Sequence, residues 1–339
     1  MGSGPYDPAR GRDSPGRGWR VKATGLRFAL VATLFALSGC SVFGSSDTGQ
    51  AQPPERVTLR VGVASPIDTA PLRIAVAAGK FRQAGLNVQL VELGDSDGVE
   101  KLKSGQIDVT FGSDVSLFRA AGSGTALQLQ GEAYTFGRTT IALVTLPGSD
   151  YSEPTAKKSP KIAVDSPDDI GALTARAVLG TAGVDKSKIE FVTRPFGQMP
   201  AALQSGDADA ALMVEPYITR AEKELGAQVL ADGSTGATLD FPASGYAATG
   251  QFAASNPRTL TAFRNVLTQA QLAASDSAKV RDALPSFSDI DQTTAALISL
   301  GSYPTTLSAT RLQRVADLMH SSGQLANRLD VAAMLPNAL

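Results

Sequence analysis

Six short polar segments hold the side chains most able to do chemistry: Ser65-Pro66-Ile67-Asp68-Thr69, Gly94-Asp95-Ser96-Asp97, Gly112-Ser113-Asp114, Asp165-Ser166-Pro167, Pro195-Phe196-Gly197-Gln198 and Glu215-Pro216-Tyr217. Hydroxyls, carboxylates and two aromatic rings in such clusters suit hydrogen bonding and stacking to a small polar molecule. Covalent or metal catalysis is poorly supplied, because the chain has one cysteine and one histidine. That inventory removes a Ser-His-Asp triad, a His/Cys zinc site and a disulfide framework, and no cofactor or metal is expected. His320 falls in an amphipathic helical stretch and reads as a surface residue. No Gly-x-x-x-x-Gly-Lys-Ser/Thr phosphate loop occurs, so any energy source lies on another chain.

The elements between these segments alternate. Val57–Val63 is an alternating, β-branched strand, Pro71–Ala78 a helix stopped by Gly79, and Asn87–Leu93 the next strand. Val99–Ser104 is a short helix stopped by Gly105; Ile107–Phe111 is a strand opening into helix Val115–Ala121. After strand Ile141–Leu146 the rhythm restarts with Lys161–Val164, Asp168–Thr181, Ile189–Thr193, Met199–Ser205, Ala210–Val214 and Pro216–Leu225. From about Asn256 the pattern is helical. Strands alternating with helices imply an α/β fold of mostly parallel, helix-flanked sheets, and the restart implies two lobes. A repeat supports this: Leu102-Lys103-Ser104-Gly105-Gln106-Ile107-Asp108 and Leu203-Gln204-Ser205-Gly206-Asp207-Ala208-Asp209 share the frame Leu-x-Ser-Gly-x-x-Asp at the third strand of each half. In each copy the glycine suits a left-handed exit from a helix.

The six polar segments then fall at the carboxyl ends of strands, where open sheets bind ligands. Each residue taken singly also suits a plain helix cap. Taken together, two facing sets of short polar loops describe a cleft. The candidate ligand contacts are Ser65, Asp68, Thr69, Asp95, Ser96, Ser113, Asp114, Asp165, Ser166, Phe196, Gln198, Glu215 and Tyr217.

The N-terminal region is of another kind. Arg10, Arg12, Arg17, Arg20, Lys22 and Arg27 precede an apolar run, Phe28–Leu37, of about ten residues. Such a run is too short for a hydrocarbon core of roughly 30 Å but suits a signal peptide. Leu37-Ser38-Gly39-Cys40 resembles the bacterial lipobox, in which the cysteine sulfur takes a diacylglycerol, with palmitate expected among the acyl chains. The expected organisation is a signal peptide at 1–39, a flexible tether at 40–56, a first lobe from 57–143 plus 246–339, and a second lobe at 147–241. With 43% apolar residues and a net charge of −1, the chain as a whole is ordinary for a globular protein and carries no basic excess for nucleic acid.

Ala70-Pro71-Leu72-Arg73 with Ala78-Gly79-Lys80-Phe81, the two Leu-x-Ser-Gly frames and Glu215-Pro216 resemble the solute-binding proteins of ABC importers. The relevant group includes sulfonate, taurine and nitrate binders and binders of thiamine-pyrimidine precursors. The resemblance spans roughly residues 57–325 and implies a type 2 periplasmic-binding-protein fold. It places two crossovers near Ile141–Leu146 and Phe241–Ala248, with the C-terminal helices packing back on lobe one. It further implies a monomeric, non-enzymatic, lipid-anchored protein on the extracytoplasmic membrane face. That protein would deliver a small molecule to a permease served by a separate ATPase subunit. Acids dominate the candidate loops, which favours a pyrimidine or amine over a sulfonate or nitrate. In pyrimidine-precursor binders a glutamate near the position of Glu215 plays such a part. The alternatives are a cofactor-free enzyme on the same fold and a ligand sensor for a separate membrane partner.

Overall fold

The computed structural model describes residues 52–94 and 98–336. The leader, Cys40 and most of the tether lie outside the described residues, as do Asp95 and Ser96. The first half runs β1 (Thr58–Val63), α1 (Ala70–Ala77), α2 (Lys80–Gln83), β2 (Asn87–Glu92), α3 (Gly98–Lys103), β3 (Val109–Ser113), α4 (Asp114–Gly122) and β4 (Leu127–Thr135). The second runs β5 (Ile141–Thr145), β6 (Lys161–Val164), α5 (Ile170–Thr181), β7 (Glu190–Thr193), α6 (Met199–Ser205), β8 (Ala210–Val214), α7 (Tyr217–Leu225) and β9 (Gln228–Asp232). The chain then returns through β10 (Pro242–Thr249), α8 (Gly250–Ser255), α9 (Pro257–Ala273), α10 (Ser277–Ala283), α11 (Gln292–Leu297) and α12 (Ala309–Ser321).

Two five-stranded sheets result, in the orders β2-β1-β3-β10-β4 and β7-β6-β8-β5-β9. β10 and β5 run antiparallel to both of their neighbours, and the other described pairings are parallel. Four strands of each sheet therefore point one way. The antiparallel strand in each sheet is the one the chain enters directly on leaving the other sheet: β5 follows the first sheet's edge strand β4, and β10 follows the second's edge strand β9. Ile141–Thr145 thus lies wholly in the second sheet and Pro242–Thr249 in the first, so the crossings themselves are residues 136–140 and 233–241. They run side by side, with Phe136 N donating to Phe241 O at 3.1 Å and Gly233 N to Ile141 O at 2.8 Å. At Gly137 a Cβ would stand 2.9 Å from Gly301 Cα, so the close packing of this joint requires glycine.

The repeated frame has a physical basis that is the same in both copies. Gly105 and Gly206 leave their helices at φ +70° and +77°. Asp108 Oδ2 then accepts from Arg60 N at 2.8 Å, and Asp209 Oδ2 from Lys161 N at 2.7 Å, so each aspartate clamps the parallel strand next to the one it opens, β1 or β6. Cations complete both clamps, Arg60 at 2.8 Å from Asp108 and Lys157 at 2.6 Å from Asp209. On one face of the first sheet Leu72, Leu260 and Phe263 cover Leu59, Val61 and Val109. On the other, Val115, Leu117 and Phe118 meet Leu312, Val315 and Met319 of α12. The C-terminal helices accordingly build mostly on the first sheet, while α11 also touches α7.

The last residues expected in the tether are tied down. Glu55 caps α9, accepting from Arg258 N at 3.1 Å and Thr259 N at 2.8 Å, and Arg258 also binds Pro53 O and Gln52. Burial opposes ionisation of Glu55, but those backbone N–H groups outweigh it and hold its carboxyl down to about 2.

Candidate functional site

Ser65 follows β1, Ser113 closes β3, Asp165 and Ser166 follow β6, and Phe196 and Glu215 follow β7 and β8. All sit at the carboxyl ends of parallel strands. Among the described residues the two sets meet where Ser113 Oγ donates to Asp169 Oδ1 at 2.5 Å. Each partner also caps a helix, Ser113 accepting from Ser116 N at 3.0 Å and Asp169 from Ile170 N at 2.7 Å. The N-termini of α4 and α5 therefore face each other across the junction of the lobes.

On the first-lobe wall, Ser65 holds φ at +27°, a region that costs a non-glycine residue free energy and is concentrated at functional sites. Its hydroxyl donates to Asp68 Oδ1 at 2.7 Å, and Ser244 of β10 donates to Asp68 Oδ2 at 2.7 Å. Burial pushes the Asp68 carboxyl up, and the two hydroxyls pull it back only in part. Thr69 is fully buried, with its hydroxyl donating to Ala64 O and Ser65 O and accepting from Arg73 Nε, so it braces the loop. Asp114 is 1% exposed, and neither of its carboxyl oxygens has a hydrogen-bond partner. Burial, then the neighbouring Glu132, push its pKa well above the ordinary carboxyl range. Asp114 thus lies beneath the wall, where Cβ on Gly245 would stand 3.2 Å from its Oδ1.

On the second-lobe wall, Phe196 and Tyr217 stack with centroids 5.3 Å apart at 20°, and both rings are half-buried. Asp165 and Gln198 are exposed; Ser166 is half-buried and accepts from Asp168 N at 3.3 Å. Glu215 is engaged by the protein itself. Its oxygens accept from Thr219 N at 3.1 Å, Thr219 Oγ1 at 2.9 Å and Ser299 N at 3.0 Å, so it caps α7 and anchors the returning chain. Tyr134 lies close by, and its hydroxyl accepts from Gly301 N.

The structure thus groups Ser65 with Asp68, Ser113 with the opposite lobe, and Phe196 with Tyr217. Sequence reasoning missed Asp169 and Ser244. Asp169 did carry a signal, an Asp immediately before an apolar helix start. Ser244 carried none, since it meets Asp68 across 176 residues. Among the described residues there is no group of three or more His, Cys, Asp or Glu able to hold a metal, and no helix long and apolar enough to cross a membrane.

Two topologically equivalent α/β sheets, joined by paired crossings and meeting through polar strand ends, define the two-lobed fold of periplasmic binding proteins. The model of the NMT1-like family matches residues 52–285, and the chain belongs to that family. No curated protein sequence matches it. Among solved structures it is similar to the alkanesulfonate-binding protein SsuA of Xanthomonas axonopodis pv. citri bound to MOPS (TM-score 0.70, 20% identity, covering 84% of this chain and 99% of that one). It is also similar to the periplasmic aliphatic sulphonate binding protein SsuA of Escherichia coli (0.68, 20%, 84% and 93%). A third is the ligand binding component of an ABC-type import system from Staphylococcus aureus with zinc bound (0.69, 14%, 83% and 97%).

Proposed function

We propose that this chain is the extracytoplasmic solute-binding component of an ABC importer: it captures a small polar organic molecule between its lobes and presents it to a permease without altering it. The observation that carries this reading is the Ser113–Asp169 bond, which brings the ligand-facing ends of two equivalent sheets together. A solute touching both walls would stabilise the closed arrangement by its differential affinity, and that arrangement is what a permease would recognise. The import role is supported by the Staphylococcus neighbour. For the ligand, an amine or amino-pyrimidine is favoured over a sulfonate. Asp68 and Asp169 stand at the junction with no ion pair among the described residues, and the Phe196–Tyr217 stack offers a flat apolar face. An anionic ligand would have to displace or neutralise those carboxylates.

A thermal-shift screen of amines, amino-pyrimidines and alkanesulfonates tests this. A ligand at a hundred times its Kd should stabilise the protein by about 2.7 kcal/mol. Stabilisation by sulfonates alone would overturn the ligand class, and product formation would overturn the binding role. Membrane attachment through Cys40 belongs to the same proposal. Cys40→Ser should release the protein from the membrane fraction or leave an uncleaved precursor, and a processed, still membrane-bound variant would refute it.

A further inference from the structure

A cavity of about 220 Å³ opens on the outer edge of the first sheet, where edge strand β4, helix α9 and the loop ahead of α12 converge. Gln130, Glu132, Arg264, Thr268, Gln271, Thr305 and Thr306 supply its polar lining. Arg264 is fixed from behind. Its Nη1 donates at 2.8 Å to Oε1 of Gln130, itself 1% exposed, and its Nη2 at 2.7 Å to Thr261 Oγ1. The amide nitrogen of Gln130 donates in turn to Gln128, so the buried amide is satisfied at both ends and holds the guanidinium in a fixed pose.

Arg264 makes no ion pair among the described residues. The acid in the lining, Glu132, is matched by Arg311 at 3.0 Å and by Ser308 N at 3.1 Å, which leaves the charge of Arg264 without an ion-pair partner of its own. Two of the five N–H groups of a guanidinium account for the bonds to Gln130 and Thr261, leaving three to serve a ligand. The hydroxyls of Thr268, Thr305 and Thr306 take no hydrogen-bond partner among the described residues. Burial depresses the pKa of Arg264, which is the mark of a cation taken out of water without its counter-charge.

We propose that this cavity is a binding site for a small oxyanion, a phosphate or carboxylate group gripped by the guanidinium of Arg264 and the threonine hydroxyls at its mouth. A planar fork suits the paired oxygens of such groups. The volume falls below the roughly 300–1,000 Å³ of sites for drug-sized molecules, which fits a group of a few atoms. The site involves none of the candidate cleft residues, so it stands or falls separately from the importer reading.

The test titrates the purified chain with sodium phosphate and with sodium acetate against sodium chloride of equal ionic strength, read by thermal shift and by the arginine side-chain ¹⁵N resonances. At least one oxyanion should give a saturable rise in Tm beyond chloride and move the Arg264 Nε signal. Arg264→Gln should weaken that binding about tenfold or more, and Arg264→Lys should fall between. Thr268→Val removes one hydroxyl and no charge; a smaller weakening is expected, and it serves as the decisive variant if Arg264→Gln does not fold. Vesicles bearing a phosphate-monoester headgroup form a second arm. Sedimentation with them that Arg264→Gln abolishes would assign the anion to a lipid, and saturation by the free ion alone would assign a soluble one. No oxyanion response beyond chloride, or an equal response in parent and variants, would overturn the proposal.

Discussion

Glu215, Asp169 and Asp209 in the second lobe are each bonded to the protein's own backbone: to Thr219 and Ser299, to Ile170, and to Lys161. In the first lobe Asp108 does the same for Arg60, but Asp114 has no partner at all and Asp68 is held by two hydroxyls. The lobes share strand order and clamp, yet acids at corresponding strand ends do different work. An acid with both oxygens taken by the protein's own N–H and cationic groups, as in Glu215, Asp108 and Asp209, is structural wherever it stands, whereas the bonds of Asp169 use Oδ1 alone. One not so held is free to titrate or to meet a ligand.

The largest effect should come from the clamps. Asp108→Ala leaves Arg60 and its backbone N–H without their acceptor in a site where the aspartate is 3% exposed, and should cost about 3–5 kcal/mol in denaturant unfolding. Asp209 is 16% exposed, so Asp209→Ala should cost less, about 1–3 kcal/mol. Equal costs would break the link drawn here between burial of the clamp and its worth.

Asp114→Asn probes the opposite case. The folded protein holds the Asp114 proton more tightly than the unfolded chain does, because burial raises its pKa. Stability from this group is therefore full below the ordinary carboxyl range and is lost as pH rises from there towards the folded value. The amide carries no proton to lose, so it should flatten that decline and leave the variant more stable than the parent towards neutral pH. An unchanged pH slope would count against an unpaired Asp114.

Glu215→Gln should give the smallest change. It keeps the shape but loses one acceptor, so stability should fall by about 1 kcal/mol while ligand affinity stays within about twofold of the parent. A loss of affinity of tenfold or more with intact stability would return Glu215 to the binding wall.

Much of this architecture was legible because hydrophobic period and helix stops act locally. The bounds of α6 and α12 agree with the periodicity, and the glycines of the repeat adopt the left-handed conformation that their positions suggested. What escaped depends on distant chain. β4, reading LQLQGEAYT, is an edge strand whose polar Gln130 and Glu132 are buried, and β9, reading QVLAD, is a short edge strand that is mostly half-buried, so neither shows the alternation that marks a strand in sequence. β10 is a central strand containing proline, glycine and three alanines, a composition of low β propensity that is held by neighbours on both sides. The acids were visible as residue types, but their roles turn on partners such as Ser299, which is 84 positions from Glu215.

The central claim is that a ligand touches both lobes and draws them together. Solution scattering of the purified chain, with and without a saturating amount of the ligand found by thermal shift, tests it most directly. The account predicts a smaller radius of gyration with ligand, and the same ligand should compact Ser113→Ala less well, because the bond to Asp169 is lost. A scattering profile unchanged at saturation would contradict it and confine the binding site to a single lobe.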